Sequence, residues 1–102
     1  MAFERIVGLF VTDKTEYQNY RKGMLPILER YGGQFTFDFE VSAVLKSPSN
    51  LPVNRLFTLQ FPNESLMNDF FADEAYQSVR EQYFEHSVSD ITPISMHKVI
   101  EP

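Results

Sequence analysis

The sequence contains no cysteine, few cations and no long apolar run. The lack of cysteine among its 102 residues excludes disulfides, thiolate metal ligands and a cysteine nucleophile. Lysine and arginine total 9 against 14 aspartates and glutamates, which gives a net charge of −5. Because binding to nucleic acid depends largely on cations, we expect no nucleic-acid partner.

The apolar segments are too short for a membrane anchor or a signal peptide. The run near the start extends only from Ile6 to Val11 and contains Gly8. A spanning helix needs about 20 apolar residues, and a signal peptide begins with positive charge, whereas Glu4 is acidic. We therefore expect a cytoplasmic protein that does not associate with membranes.

Aromatic residues are abundant and are spread along the whole chain. Ten phenylalanines and five tyrosines contribute to a hydrophobic content of 43%, which is enough for a packed core. A chain of this length usually forms one domain. We expect residues 1–102 to fold as a single domain.

The first third of the chain predicts a strand followed by a helix. Phe3 to Thr12 alternates with apolar residues on both faces, which favours a strand covered on both sides. Asp13, with Glu16 three residues later, predicts a helix N-terminus. We expect a kink or break at Pro26 and a helix end at the Gly32-Gly33 pair. The apolar stripe of this helix comprises Tyr17, Tyr20, Met24, Leu25, Ile27, Leu28 and Tyr31.

The rest of the chain predicts three further strands and a second helix. Gln34 to Lys46 and Asn54 to Phe61 read as strands, separated by a loop at residues 47–52. Asn63 predicts the cap of a helix that Asp73 restarts. Ile91 to Ile100 predicts the last strand, and its Pro93 favours a sheet edge.

This order predicts an α+β ferredoxin-like βαββαβ sandwich. Such a fold has a four-stranded antiparallel sheet with two helices on one face. The helices leave the other face bare, although strand residues on that face are partly apolar. A second copy of the chain would cover it, so we expect a homodimer.

Five short segments lie in a fixed order along the chain: Tyr17-x-x-Tyr20, Pro26-Ile27-Leu28, Tyr31-Gly32-Gly33, Phe61-Pro62 and Asp73-Glu74-Ala75-Tyr76 with Arg80. Together they resemble a family of small bacterial domains of unknown function in the dimeric α/β-barrel superfamily. The resemblance implies a ferredoxin-like subunit whose sheet packs on that of its partner to form a barrel. Members of the wider superfamily include cofactor-free monooxygenases, haem enzymes, isomerase-like enzymes and ligand-binding regulators.

Polar residues of three strands predict a site on the bare face of the sheet. Histidine titrates near neutral pH, so His97 is the candidate general base, with Asp38 or Glu40 to orient it. Strict alternation places both carboxylates on one face, opposite Phe37 and Phe39. If the strands align, a mixed polar and apolar pocket forms there. Its other polar members would be Thr36, Ser42, Thr58, Gln60 and Ser95. The alternative is that Asp38 and Glu40 lie on a solvated edge strand, where they only discourage aggregation.

Tyrosines of the first helix provide a second set of candidate ligand-binding residues. Tyr17 and Tyr20 belong mainly to the core, but their hydroxyl groups can line a pocket between helix and sheet. No phosphate-binding loop, nucleophile elbow, zinc motif or calcium loop is present in the sequence. We expect neither a metal nor a cofactor.

Three functions follow from these features. The first is binding of a small apolar or aromatic molecule within the homodimer. The second is a cofactor-independent monooxygenase- or isomerase-like enzyme that acts on an aromatic or polyketide-like substrate. The third is a structural or interaction module that binds no ligand.

Overall fold

A computed structural model describes residues 2–100. Four strands and a set of helices follow one another in the predicted order. The strands are β1 (Phe3–Val11), β2 (Gln34–Glu40), β3 (Arg55–Phe61) and β4 (Val88–Lys98). The helices are α1 (Lys14–Arg30), α2 (Glu64–Ala72) and α3 (Glu74–Val79), and a π-helical segment (Arg80–Phe84) and a last helical turn (Glu85–Ser87) follow them.

The sheet is antiparallel and has the strand order β2-β3-β1-β4. The two central strands are therefore β3 and β1, and the predicted ferredoxin-like topology is confirmed. Because β4 is an edge strand, Pro93 is tolerated within it, next to an irregularity in its pairing with β1. The other face of the sheet, which the helices do not cover, is called the open face below.

Short polar side chains begin the helices where the sequence predicts. The carboxylate of Asp13 accepts from the backbone N–H of Glu16 at 3.1 Å. The side chain of Asn63 accepts from the N–H of Leu66 at 2.9 Å. Asp73 caps α3 by accepting from a backbone N–H at 3.0 Å. Each bond satisfies a donor that has no partner within its own helix.

The hydrophobic core lies between the sheet and the helices. The inward residues of β1 and β3 pack on α1 and α2. Within the core, the ring centroids of Phe70 and Tyr76 are 4.3 Å apart. Leu25, which the periodicity places on the apolar stripe of α1, is instead 42% exposed. The fully or almost fully buried core side chains include Leu9, Tyr17, Met24, Leu28, Phe61 and Phe70.

Three predicted element boundaries or features are wrong. Strand β2 ends at Glu40 rather than Lys46, and β4 begins at Val88 rather than Ile91. Helix α1 passes through Pro26 without the predicted break. Proline removes only one backbone donor and lies on the exposed side of this helix, so the surrounding turns maintain the helix.

The two glycines after α1 have different structural roles. Gly32 adopts a φ of +73°, the left-handed conformation that glycine accepts without strain. Gly33, the other member of the pair at which the sequence predicts the helix end, does not adopt this conformation. At Gly33 a Cβ atom would lie 2.8 Å from Cε1 of Phe61. Glycine is therefore needed at position 33 because the chain passes close to the core.

The segment between β2 and β3 contains no helix or strand and folds against the end of β1. Asn54 holds it there, because its side chain accepts from the N–H of Val11 at 2.7 Å and donates to the carbonyl of Val11 at 2.9 Å. Val53 lies against Gly8, where a Cβ atom would be 3.1 Å from its Cγ1. This segment consequently covers one end of the open face.

Candidate functional site

The open face consists of three cross-strand rows that change from polar to apolar along the sheet. The register of the four strands sets each row, because residues paired across strands point to the same face. In each row the residues are given in the order β2, β3, β1, β4. The polar row is Gln34, Gln60, Glu4 and His97, and the mixed row is Phe37, Thr58, Ile6 and Ser95. The apolar row is Phe39, Leu56, Gly8 and Thr92.

A β-bulge in β2 determines which side chains reach this face. Phe35 pairs with Leu59, but Phe37 pairs with Thr58, so Thr36 is the extra residue. An extra residue reverses the alternation for every residue that follows it. Phe37 and Phe39 therefore point to the open face, and Asp38 points to the helices. The prediction that Asp38 and Glu40 share a face with His97 is wrong for this reason.

Thr58 stabilises the bulge from the neighbouring strand. Its hydroxyl accepts from the backbone N–H of Phe37 at 2.9 Å and also contacts the hydroxyl of Thr36. Thr58 is 8% exposed, so this hydroxyl satisfies a donor that the bulge removes from the regular ladder. Thr58 lies on the open face as predicted, beside Ile6, but its hydroxyl is already engaged.

Asp38 forms an ion-pair cluster on the helix-covered face. Arg55 of β3 donates to the carboxylate with two nitrogens at 2.8 Å, and Arg21 of α1 donates to it at 3.1 and 3.3 Å. Burial alone would raise the pKa of Asp38, but the two guanidinium groups outweigh it and hold the pKa below its usual range. Asp38 is thus a structural carboxylate that is ionised at neutral pH.

Glu40 lies near the same cluster but close to solvent. Its side chain is 81% exposed, and its carboxylate is 4.0 Å from Nζ of Lys14. An exposed pair at that distance contributes little to stability. Glu40 is therefore not placed to orient His97, which is on the opposite face of the sheet.

A continuous hydrogen-bonded chain joins three side chains at the β1–β4 side of the open face. Oε1 of Glu4 lies 3.1 Å from Nε2 of His97, and Nδ1 of that ring lies 2.7 Å from Oγ of Ser95. In the tautomer in which Nε2 donates to the Glu4 carboxylate, Nδ1 accepts from the Ser95 hydroxyl. The basic nitrogen of His97 is thereby directed towards Ser95.

Glu4 is the residue that reasoning from the sequence missed. It occupies the position opposite His97 in the register of β1 with β4, and its side chain is only 16% exposed. The available signal was the predicted pairing of the first and last strands, which brings Glu4 beside His97 if their ends are aligned. Gln60 completes the same polar row on the other side of Glu4.

The apolar part of the open face is exposed. The rings of Phe37 and Phe39 are stacked with centroids 5.9 Å apart, and these residues are 58% and 51% exposed. Beside them, the segment between β2 and β3 forms the wall of a groove of about 570 Å³ that also contacts Leu56 and Ile94. Two stacked, exposed phenylalanines are unusual on a surface that faces only water.

Tyr17 and Tyr20 lie on the helix-covered side, away from the open face. The hydroxyl of Tyr17 accepts from Nε of Arg21 at 2.8 Å, and the side chain belongs to the Asp38 cluster. The hydroxyl of Tyr20 lies 2.8 Å from that of Tyr76, and Tyr20 lines a separate cavity between sheet and helices. The two tyrosine and two carboxylate candidates therefore lie on the helix-covered face, whereas His97, Thr58, Gln60 and Ser95 share the open one.

Residues 2–100 contain neither a metal-binding cluster nor a membrane-spanning helix. No group of three or more histidine, aspartate or glutamate side chains in this range is arranged to hold a metal ion. No helix in the same range has both the length and the apolar composition of a membrane span.

Solved structures define the class of fold to which the chain belongs. A protein of unknown function from Rhodopseudomonas palustris has a TM-score of 0.81 at 16% identity, over 99% of this chain and 84% of that one. A dabb family protein with a ferredoxin-like fold from Mesorhizobium loti has a TM-score of 0.68 at 11% identity, over 98% of both chains. A dimeric ferredoxin-like protein of unknown function from Bacteroides fragilis has a TM-score of 0.61 at 6% identity, over 96% of both.

At these identities the likeness establishes a ferredoxin-like fold and nothing about activity. The family model for the domain of unknown function DUF1330 matches residues 5–95, so the chain belongs to that family. The expected resemblance to a small domain family of unknown function is confirmed. No curated protein sequence matches the chain.

Proposed function

We propose that the open face packs on that of a second copy and that the space between the two sheets binds a small molecule. The observation that carries this proposal is the exposed, stacked pair of Phe37 and Phe39 on the same face as the buried carboxylate of Glu4. Burial of two exposed phenylalanines per subunit favours association, since a buried phenylalanine contributes about 1.5–3 kcal/mol.

The change from a polar to an apolar row across the open face indicates the chemistry of the ligand. The apolar row offers flat aromatic and aliphatic surface, and the polar row offers an amide, a carboxylate and an imidazole. An apolar or aromatic molecule with one polar end fits such a surface, because few polar groups fix its orientation. The dimeric state described for the Bacteroides fragilis protein supports the assembly only as a likeness of fold.

Light scattering across a range of concentrations tests the dimer. The native protein is expected to have about twice its chain mass of 11.9 kDa. Phe37→Asp introduces a charge into the proposed interface and is expected to give a monomer. Leu25→Asp introduces the same charge on the exposed side of α1 and is expected to leave the dimer intact. A native protein that stays monomeric at high concentration contradicts the proposal.

Native mass spectrometry of the purified protein tests ligand binding. A dimer that carries a bound small molecule supports the proposal, and Phe39→Ala is expected to weaken its retention. A dimer whose mass equals two bare chains after gentle purification favours the structural or interaction module. These two results separate ligand binding from assembly alone.

A cofactor-independent enzyme is the second candidate function, and the chain of Glu4, His97 and Ser95 favours it. In this role an aromatic or polyketide-like substrate displaces the Ser95 hydroxyl from Nδ1 of His97, this nitrogen removes a proton from the substrate, and Glu4 stabilises the imidazolium that forms. Glu4 replaces Asp38 and Glu40 as the orienting carboxylate in this mechanism. The side chain of His97 is 40% exposed in the single chain, so a substrate can reach it.

Incubation of the co-purified compounds with variants tests this second function. Wild-type protein is expected to convert the substrate, and folded His97→Ala protein is expected to lose the activity. His86→Ala, which changes an exposed histidine in the last helical turn, is the matched control and should retain it. Binding without conversion by the wild type would reject the enzyme and leave the binding protein.

A further inference from the structure

A second cavity lies on the opposite side of the sheet, between β1 and the helices. It has a volume of about 320 Å³, at the lower end of the range of about 300–1,000 Å³ that is typical of small-molecule sites. Its apolar wall comes from Leu9, Leu59, Phe71, Phe84 and Ile91, and its polar groups are Arg5, Tyr20, Tyr76, Gln77 and Arg80.

Both arginines in this cavity are held by aromatic rings. Cζ of Arg5 lies 4.5 Å from the centroid of Phe71, and Cζ of Arg80 lies 4.9 Å from that of Phe84. A ring interacts with the flat face of a guanidinium group, whereas the N–H donors point outward in its plane. The ring contacts position both guanidinium groups at the cavity.

Arg5 has no anionic partner among residues 2–100. No carboxylate in this range forms a salt bridge with it, although burial lowers its pKa. Arg80 donates to Glu85 at 3.3 Å with one nitrogen and keeps further donors. The described residues that line the cavity include no aspartate or glutamate, in a chain whose net charge is −5. A partly buried cation without a partner favours an anionic ligand.

The tyrosine pair provides a third polar element beside the two cations. The hydroxyls of Tyr20 and Tyr76 are 2.8 Å apart in a buried position. Burial raises the pKa of Tyr76, and its hydrogen bond with Tyr20 and the charges of Arg80 and Arg5 oppose that effect. The polar end of the cavity is thus cationic and can donate several hydrogen bonds.

We propose that this cavity binds a small monocarboxylic acid with an apolar body. The fork of Arg5 matches the two oxygens of a carboxylate, Arg80 adds a second charge, and the apolar wall encloses the aromatic or aliphatic part. This site is independent of the open face, because the sheet separates the two surfaces.

Titration of the native protein with phenylbutyrate and octanoate tests the site by NMR of nitrogen-labelled protein. Binding is expected at about millimolar concentration or below, with the largest amide shifts at Phe71, Tyr76 and Ile91. Phenylbutyramide, which has the same shape without the charge, is expected to bind at least about tenfold more weakly. This comparison needs no substitution and so does not depend on the stability of a variant.

Substitutions then assign the charge recognition to Arg5. Arg5→Met is expected to weaken phenylbutyrate about tenfold or more and Arg5→Lys to weaken it less. Lys22→Met removes one cation from the exposed side of α1 and should not change the affinity. Equal affinity for acid and amide, no binding of either acid, unchanged affinity in Arg5→Met, or shifts confined to Phe37 and Thr58 would each overturn the proposal.

Discussion

The guanidinium group of Arg21 on α1 donates to the carboxylate of Asp38 on β2 at 3.1 Å, across the boundary between helix and sheet. This bond exists because the bulge at Thr36 turns Asp38 towards the helices. Arg21 also lies over Phe35, with its Cζ 3.9 Å from the ring centroid. The edge strand β2 is therefore attached to α1 by an ion pair as well as by apolar packing.

Replacement of Asp38 by asparagine is expected to destabilise the fold by roughly 1–3 kcal/mol at neutral pH, because hydrogen bonds to a charged group are lost. Urea unfolding followed by circular dichroism measures the change. Glu40→Gln on the same strand is the control, and it should change stability by no more than about 0.5 kcal/mol because the side chain is exposed. Equal effects of the two substitutions would contradict the role of Asp38.

The same ion pair predicts a loss of stability in acid. The pKa of Asp38 is lower in the folded state than in the unfolded chain, so its contribution is complete above the unfolded pKa of about 4. The contribution is lost as the pH falls through the lower folded pKa. Asp38→Asn is expected to remove this part of the acid dependence, which unfolding curves at several acidic pH values measure.

Thr58→Val is expected to destabilise the protein by about 1–2 kcal/mol, because it leaves the N–H of Phe37 without a partner. Thr58→Ser keeps the hydroxyl and should preserve the bond. Hydrogen exchange provides the specific measurement, since the amide of Phe37 should exchange faster in the valine variant alone. Slow exchange in both variants would show that the hydroxyl does not protect this amide.

The topology could be predicted from the sequence because local signals and the order of elements agree. Asn63 and Asp73 are typical caps, and they begin α2 and α3 where expected. The alternation in β1 correctly separates Val7 and Leu9, which face the helices, from Ile6, which faces the open side. Such patterns depend on residues that are close in sequence, so they can be recognised without knowing which strands pair.

The composition of the site could not be predicted in full because it depends on contacts between distant residues. The bulge at Thr36 is held by Thr58, which is 22 positions away, and nothing in the alternation of β2 reveals it. Glu4 and His97 are 93 positions apart, and their contact requires the register of two strands. Because of this one extra residue, Phe37 points to the open face, where the sequence predicts the two carboxylates.

The two glycines after α1 can be distinguished by substitution. At Gly32, alanine is expected to cost about 1–3 kcal/mol, because it must adopt a positive φ and its Cβ atom would lie 2.8 Å from Cγ of Pro62. Asparagine is expected to cost about 0.5 kcal/mol less than alanine there, because asparagine tolerates positive φ. At Gly33, alanine is expected to cost about 1–3 kcal/mol through overpacking against the core, with no recovery by asparagine. Thermal unfolding of the four variants measures these differences, and recovery at Gly33 instead of Gly32 would reverse the assignment.

Alkaline titration tests the burial of the tyrosines. Burial raises the pKa values of Tyr17, Tyr20 and Tyr76 in the folded state. Their contribution to stability is therefore complete below the unfolded pKa of about 10 and is lost as the pH rises through the folded values. Ultraviolet absorbance should show delayed ionisation of these groups relative to protein in urea. Simultaneous ionisation of all tyrosines in the native protein would contradict their burial.

The hydrogen bond between Tyr20 and Tyr76 can be measured by a double-mutant cycle. Each single phenylalanine substitution leaves the other hydroxyl buried without this partner, so each should destabilise the fold by about 1–2 kcal/mol. The double variant removes both hydroxyls together and leaves neither without its partner, so its loss should be smaller than the sum by about 0.5–1.5 kcal/mol. Tyr31→Phe combined with Tyr20→Phe is the additive control, because the Tyr31 hydroxyl donates to Asp73 at 2.6 Å instead. Urea unfolding of the variants gives the coupling free energy, and additive losses for Tyr20 and Tyr76 would show that their hydroxyls do not depend on each other.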